Sequence, residues 1–370
     1  MIETLFIGLD VHKRSVSVAT AEGFRGGEVS FLGDIENTPD AIARLMRRLA
    51  RKGGDLEFCY EAGCCGYGVF RQITEAGHAC QVVAPTRIPR APGDVIKTDR
   101  RDAQRLAVLH RAGDLTAVWV PDPAHEAMRD LVRARQDAAM HQTRMRQQLL
   151  AFLLRHGRLY EPNRKHWTQR HRQWLGKQSF EHPAQNAVFQ DYMEAVWSAR
   201  DRDLALRAEI EAQLPHWSLA SLVAALRCLR GIDMISATTI MAGVGDISRF
   251  DTARQFMSFL GLTPSEHSSG TSTRRGGITK MGNGEVRRML IEAGWSYRYP
   301  ARLSQDKMEL LNTQPASVRS LTWTAQKRLC KRYRQLSHRG KKPTVVVTAI
   351  ARELSGFVWA LGQQIRPDLT

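Results

Sequence analysis

The sequence lacks the features that would assign it to a membrane, a secretory route or a zinc site. No apolar run approaches the roughly 18 residues that a membrane-spanning helix needs, and the first residues lack the charged and apolar regions of a signal peptide. The six cysteines form no Cys-x-x-Cys pair, which favours buried thiols in a reducing compartment. We therefore expect a cytoplasmic protein without a membrane partner.

Acidic residues are scarce beside basic ones. The chain carries 37 Asp and Glu against 54 Lys and Arg, a net charge of +17 in 370 residues. Its hydrophobic content of 43% and charged content of 25% are those of an ordinary globular protein. Such an excess of positive charge indicates a polyanionic partner, nucleic acid before an anionic membrane surface. The length suffices for two or three domains, each with its own core.

The first 111 residues have the pattern of an α/β domain. Residues 4–20 predict a strand hairpin, followed by a helix near 39–51 and a strand at 56–61. A strand at 80–84 and a helix from about Asp99 to Arg111 complete the unit. Hairpin strands followed by alternating helices and strands favour a ribonuclease-H-like layer fold.

Four acidic residues end or begin these elements. Asp10 and Glu61 each close a strand, and Asp99 and Asp102 open the helix. Carboxylates about 4 Å apart repel by roughly 1 kcal/mol in water and roughly 4 kcal/mol near a protein surface, so converging acids need bound cations or the uptake of protons. Mg²⁺ binds carboxylates while keeping phosphates in its shell, and two such ions can clamp a phosphodiester. The structural alternative is a helix capping box at Asp99 and Asp102, with Asp10 merely ending its strand.

The middle of the chain predicts two long helices, at about 124–154 and 183–214, separated by a basic segment rich in Trp at 156–182. We expect these helices to form an antiparallel coiled-coil arm.

The C-terminal part contains two candidate phosphate-binding features. Residues 229–237 have the outline of a helix–hairpin–helix, which offers backbone N–H groups to a phosphate; an ordinary packing unit fits equally well. Residues 265–284 are rich in Gly, Ser and cations, which suits approach to a sugar-phosphate backbone and a serine nucleophile. The alternative for this segment is a solvated loop with turn-forming residues. The cations expected to contact nucleic acid are Arg274, Arg275, Lys280, Arg287, Arg288, Lys327, Arg328, Lys331, Arg332, Lys341 and Lys342.

Several short motifs occur in a specific order. They are Gly8-Leu9-Asp10-Val11-His12-Lys13, Tyr60-Glu61-Ala62-Gly63, Lys97-Thr98-Asp99-Arg100-Arg101-Asp102-Ala103, Gly261-Leu262-Thr263-Pro264, Ser269-Gly270 and Lys280-Met281-Gly282-Asn283. Taken together, over nearly the whole chain, they resemble the bacterial insertion-sequence transposases of the DEDD type. This is the insertion-sequence family 110 of bridge-RNA-guided serine recombinases.

The resemblance implies an architecture and a set of site residues. It implies a RuvC-like domain over 1–123, a coiled-coil arm over 124–217 and a mainly helical transposase domain over 218–370. It assigns Mg²⁺ binding to the four acids and the nucleophile to Ser269, with the neighbouring Ser268 as the alternative. Two features depart from the family: Arg230-Gly231-Ile232-Asp233 replaces the usual Pro-Gly-Ile-Gly, and the basic Trp-rich segment has no counterpart.

The resemblance also implies partners and a reaction. The expected partners are donor and target double-stranded DNA and a structured noncoding guide RNA. A homo-oligomer, dimer or tetramer, would combine Ser269 of one subunit with the acids of another. The expected function is a nucleoid-associated DNA transposase that cuts and rejoins through a phosphoserine intermediate. The alternatives are a RuvC-like junction-resolving endonuclease that uses water and a non-enzymatic DNA- or RNA-binding protein.

Overall fold

The protein folds into two compact units, residues 1–120 and 121–370. The structure is a computed structural model, and it describes residues 4–51, 53–89, 98–161, 164–266, 268–269, 272 and 274–365. Lys97 and Gly270, which belong to the motifs above, lie outside the described residues. The expected division at 123 and 217 into three domains stays a prediction.

The first unit is a five-stranded mixed sheet with helices. Its elements are β1 (Leu5–Val11), β2 (Ser15–Glu22), β3 (Val29–Glu36), α1 (Pro39–Ala50), β4 (Leu56–Glu61), α2 (Gly68–Glu75), β5 (Ala79–Val83), a 3-10 turn (Pro85–Arg87) and α3 (Asp99–Ala112). The strand order is β3-β2-β1-β4-β5. β2 is antiparallel to β1 and β3, whereas β1, β4 and β5 run parallel. The predicted α/β character of this region is confirmed.

The core of this unit forms because apolar residues alternate or cluster as each element requires. Ile7, Leu9 and Phe58 are fully buried in the two central strands. In α1, the residues Ile42, Leu45, Met46 and Leu49 share the buried face, as a 3.6-residue period dictates. The sequence reading missed β3, an edge strand of half-buried and exposed residues.

Gly8 allows α3 to lie directly against β1. A Cβ at this position would overlap the Ala103 carbonyl oxygen and come within 2.5 Å of the Ala107 nitrogen. Ala103 and Ala107 are themselves fully buried. Three small residues thus set the close approach of a helix and a strand that both carry acidic residues.

We expect Gly8→Ala to destabilise the first unit by about 2–3 kcal/mol, because the added methyl group meets backbone atoms that cannot move independently. The matched control is Gly68→Ala. A Cβ there meets nothing within 4 Å, and Ala suits a helix better than Gly. Calorimetry of the full chain should show the first unit melting about 5–10 °C lower for Gly8→Ala alone. Equal melting of the two variants would contradict the packing argument.

The second unit is mainly helical. Its elements are α4 (Pro123–Arg155), α5 (Gln169–Gly176), α6 (Pro183–Gln213), a 3-10 turn (Leu214–His216), α7 (Ala220–Leu226), α8 (Met234–Val244), α9 (Ala253–Phe259), β6 (Pro264–Glu266), β7 (Arg275–Ile278), α10 (Gly284–Gly294), a 3-10 turn (Trp295–Arg298), α11 (Gln305–Asn312), α12 (Ala316–His338) and α13 (Pro343–Gln364). This confirms the predicted helical character of the C-terminal part. The short β6–β7 pair lies where the sequence predicted a loop.

The long helices α4 and α6 pack against each other in opposite directions. Met128 joins one apolar cluster with Ile210, whereas Phe152 joins another with Phe189. Buried residues recur every seven positions along α6, at Phe189, Val196, Asp203 and Ile210. This spacing favours the predicted coiled-coil pairing.

Helix α13 is more apolar than the sequence analysis expected of any segment in this chain. Its 22 residues are long and apolar enough to cross a membrane by length and composition, although half of the most apolar window is buried inside the protein. Val346, Ile350, Leu354 and Val358 are fully buried in the C-terminal core. A core helix explains this composition.

Candidate functional site

The end of β1 meets the start of α3 at a cluster of acidic residues. The Asp10 Oδ2 atom lies 3.3 Å from His12 Nε2, and the same nitrogen lies 3.6 Å from Asp99 Oδ1. Ligand atoms of these three residues lie within 4.8 Å of one another. Such a set of carboxylates and imidazole can hold a metal ion.

The start of α3 shows how the acids become available. Thr98, not Asp99, is the N-cap residue, and its hydroxyl accepts a hydrogen bond from the Arg101 N–H. The capping-box interpretation of Asp99 and Asp102 is therefore wrong. Both carboxylates lie in the first turn, where the helix dipole favours negative charge.

The carboxylate of Asp10 is partly buried among other charged groups. Burial raises the pKa of Asp10 above its ordinary value; His12 opposes this rise, and the nearby carboxylates of Asp99 and Asp102 add to it. Asp102 forms an ion pair with Arg105, with 3.4 Å between the Arg nitrogen and the carboxylate. A divalent cation would supply the remaining positive charge.

Glu61 lies at the end of β4, the strand that runs parallel to β1 and next to it. Leu9 of β1 is paired with Tyr60 of β4 in a parallel ladder, so Asp10 and Glu61 follow at the same edge of the sheet. Neither Glu61 nor Asp102 belongs to the group of ligand atoms within 4.8 Å of one another. The structure thus brings Asp10 and Asp99 together directly, Asp102 within their electrostatic reach, and Glu61 onto the neighbouring strand end.

His12 is the member of this cluster that the sequence analysis did not predict, since it named His12 only within the first motif and gave it no ligand role. The available signal was its position two residues after Asp10, because alternate residues of an extended chain point to the same side.

The predicted serine lies on a short hairpin in the second unit. We use the name serine hairpin for β6, β7 and the residues between them. Beyond the β6–β7 pair, Ser269 and Ser272 exchange both backbone hydrogen bonds at 3.1 Å. Ser269 is exposed, and within the described ranges its hydroxyl has no hydrogen-bond partner. By contrast, the Ser268 hydroxyl donates to Glu266 Oε1 at 2.9 Å.

The base of the serine hairpin is held by tight backbone packing. Gly261 and Gly282 have φ values of +65° and +77°, and a Cβ at either would overlap backbone of the opposite arm. The Arg287 guanidinium donates to the carbonyls of Leu260 and Met281, both at 3.1 Å. Arg287 therefore fastens the two arms together.

The other predicted nucleic-acid contacts fall into two groups. Three arginines have carboxylate partners: Arg288 pairs with Glu285 and Glu292, while Arg328 and Arg332 share Glu353. The remaining cations are Arg274, Lys280, Lys327, Lys331, Lys341 and Lys342, together with Arg275, whose side chain lies outside the described part of the chain. Of these, Lys327 lies 5.8 Å from the Trp323 ring.

The helix–hairpin–helix-like turn between α7 and α8 has an internal partner. The Lys307 ammonium donates to the carbonyls of Arg227, Leu229 and Ile232. Gly231, at φ +81°, leaves space for the Ala293 carbonyl and the Ser296 hydroxyl. These contacts favour the packing interpretation of this turn.

Comparisons with known proteins match two separate segments of the chain. Residues 7–157 match the DEDD transposase family model of IS110, described as "Transposase". Residues 223–306 match the model described as "Transposase IS116/IS110/IS902 family". The first segment contains all four predicted acids, and the second contains Ser269.

Two similar proteins span most of the chain. "Putative transposase y4qE" of Sinorhizobium fredii (strain NBRC 101917 / NGR234) is 50% identical over 361 residues, covering 98% of this chain and 89% of the relative. "Transposase for insertion sequence element IS1533" of Leptospira borgpetersenii is 30% identical over 345 residues, covering 92% and 99%. The similarity extends over both units.

Proposed function

Because the chain belongs to the IS116/IS110/IS902 family of transposases, we propose that it cuts and rejoins insertion-sequence DNA through a phosphoserine intermediate. Ser269 is the proposed nucleophile, a divalent metal assists, and a structured noncoding RNA guides the reaction. The observation that carries this proposal is an exposed serine whose hydroxyl is unengaged in the described structure, on a hairpin with a firmly held base.

The acidic residues suit a divalent cation. Asp10, Glu61, Asp99 and Asp102 would hold Mg²⁺, because hard carboxylate oxygens are its preferred ligands. The crowded carboxylates and the raised pKa of Asp10 support this assignment. A bound cation would neutralise charge on the scissile phosphate and so favour attack on phosphorus.

The covalent step keeps the energy of the broken phosphodiester bond in a new ester bond, so the DNA can be rejoined. Ser269 Oγ attacks the scissile phosphorus, so a serine–phosphate ester forms as the bond to one deoxyribose oxygen breaks. The serine proton leaves Oγ, and the departing oxygen gains a proton. A hydroxyl of another strand then attacks the ester, which rejoins DNA and restores the serine.

The remaining parts of the proposal concern fold and partners. The order β3-β2-β1-β4-β5, with an antiparallel hairpin beside parallel strands, supports a RuvC-like domain over 1–123. The proposed arm and transposase domain follow over 124–217 and 218–370. The net charge of +17 supports binding of both DNA and a guide RNA. A homo-oligomer, dimer or tetramer, in which Ser269 of one subunit acts with the acids of another, completes the proposal.

The test is a cleavage assay on an end-labelled duplex that carries an insertion-sequence end, with the RNA transcribed beside the gene. We expect a protein–DNA adduct on denaturing gels. The adduct should form only when divalent metal is present and should not form when EDTA is added before the DNA. Free ends without any adduct would indicate the junction-type endonuclease that uses water. Bound but uncut DNA at every metal concentration would indicate a non-enzymatic binder. Either result would overturn the proposed chemistry.

A further inference from the structure

The two arginines Arg146 and Arg172, here called the arm-tip arginine pair, each contact an indole ring that packs on one apolar cluster of the helical arm. Among the described residues, no carboxylate pairs with either of them. We propose that this pair binds a phosphodiester of a nucleic-acid backbone, at a site separate from the acidic cluster and the serine hairpin. Most of the supporting residues lie in 158–222, between the two segments that the family models match. The proposal does not depend on the covalent chemistry of Ser269.

Arg146, on α4, is half-buried and lacks a dedicated counter-ion. Its guanidinium carbon lies 4.9 Å from the centre of the Trp167 ring. Its Nε atom is buried without a hydrogen-bond partner, and in the described structure no carboxylate pairs with it. A buried N–H donor without an acceptor is unfavourable by about 1–3 kcal/mol, so a movement of this half-buried side chain toward an external acceptor would be favoured.

Arg172, on α5, adds a second positive charge to the same region. Its guanidinium carbon lies 5.6 Å from the centre of the Trp197 ring, and the residue is exposed. Burial, followed by the charge of Arg172, lowers the pKa of Arg146, and Arg200 acts in the same direction. These like charges are close enough to repel, and an anion between them would remove that repulsion.

The nearest buried carboxylate is already occupied. Asp203 opposes the shift at Arg146, but it accepts from Arg135 Nε and Arg207 Nε, each at 2.9 Å. Arg200 forms an ion pair with the exposed side chain of Asp201 at 3.7 Å. The local charge therefore remains positive, as a phosphate site requires.

The segment beneath the arginine pair is fixed by an aromatic cluster. Trp167 has φ +65°, a left-handed conformation that is rare outside glycine. Its backbone N–H donates a hydrogen bond to His171 Nδ1 at 3.0 Å. His171 is fully buried and stacks on Trp174. Burial, followed by His166, lowers the pKa of His171 to about 4, so at neutral pH its ring is uncharged and Nδ1 can accept. Backbone strain held in this way is typical of functional sites.

The ligand class follows from the donors. Indole rings cover guanidinium faces, which leaves the planar N–H edges to bind anionic oxygens. Paired guanidinium edges match phosphate geometry. The phosphodiester can come from duplex DNA or from structured RNA, and the experiment has an arm for each.

The test uses the full chain with the double substitution Arg146→Gln and Arg172→Gln. The matched control is Arg164→Gln with Arg170→Gln, which removes the same charge from the same segment, where both arginines pair with Glu161. Fluorescence anisotropy would measure binding of DNA and RNA duplexes of one sequence as a function of salt. We expect the arm-tip variant to lose at least about 10-fold in affinity and about one unit of salt slope for one duplex, since one phosphate contact is removed, and the control less.

Each outcome has a defined meaning. Loss for DNA alone or for RNA alone supports the proposal and identifies the source of the phosphodiester, and loss for both supports a shared site. If affinity and slope equal those of the control for both duplexes, the proposal is overturned. Should the double variant fail to fold, Arg172→Gln alone, at an exposed position, must lower the affinity for at least one duplex relative to Arg170→Gln.

Discussion

Replacing Ser269 with alanine should abolish the covalent protein–DNA product while leaving DNA affinity unchanged. We expect adduct formation and strand transfer to fall by at least about 10³-fold, because the substitution removes the Oγ atom that is proposed to form the ester. The exposed position of Ser269 means that little packing is lost. The folded protein and its nucleic-acid complexes should therefore persist.

The matched control for this experiment is Ser268→Ala, which removes the adjacent hydroxyl. Because the Ser268 hydroxyl donates to Glu266, we expect this variant to lose only a few-fold in activity, through a less ordered hairpin. Both variants would be compared on denaturing gels and by anisotropy with the same duplex. If the adduct forms in Ser269→Ala but not in Ser268→Ala, the nucleophile is Ser268 and not Ser269.

The sequence predicted those elements whose own residues determine them. The strands β1 and β4 and the helices α4 and α6 follow apolar patterns, and their burial confirms these. In contrast, β3 has no fully buried residue and contains Gly33 at φ +98°. It is a strand because it pairs with β2, and pairing is not visible in a local pattern.

The serine hairpin illustrates the same limit. Its strands of three and four residues carry Gly, Ser and Pro, which locally favour turns. What holds its two arms is the close approach at Gly261 and Gly282 and the two hydrogen bonds of Arg287. All these contacts depend on residues outside the two strands, so the strands' own sequences do not reveal them.

Charge alone also could not separate contacts with nucleic acid from internal contacts. Arg287 and Lys307 each satisfy backbone carbonyls, and Arg328 and Arg332 share one glutamate. At the acidic cluster, spacing predicted the convergence of Asp10 and Asp99. The role of Gly8 in that convergence became clear only from the packing of α3 on β1.

Replacing Asp10 with asparagine should separate catalysis from stability. We expect DNA cleavage to fall by at least about 10³-fold, because a proposed metal ligand becomes neutral. In metal-free buffer, the same change should stabilise the first unit by about 1 kcal/mol, because it removes a desolvated charge beside Asp99 and Asp102. Divalent metal should then raise the melting temperature of the first unit less than it does in the unaltered chain.

The pH dependence gives the sign of this effect. The folded protein holds the pKa of Asp10 above its ordinary value, so the ionised carboxylate destabilises the fold at neutral pH. That destabilisation disappears as the pH falls through the folded pKa. The stability difference between Asp10→Asn and the unaltered chain should therefore be largest at neutral pH and shrink in acid.

The matched control is Asp114→Asn, the same substitution at an exposed residue after α3. Calorimetry with and without Mg²⁺ and cleavage assays over a metal titration would cover all three proteins. We expect the control to match the unaltered chain in both measurements, since its side chain is exposed to solvent. Wild-type cleavage by Asp10→Asn, or an unchanged stabilisation by metal, would remove Asp10 from the metal site. The convergence of β1 and α3 would then serve packing alone.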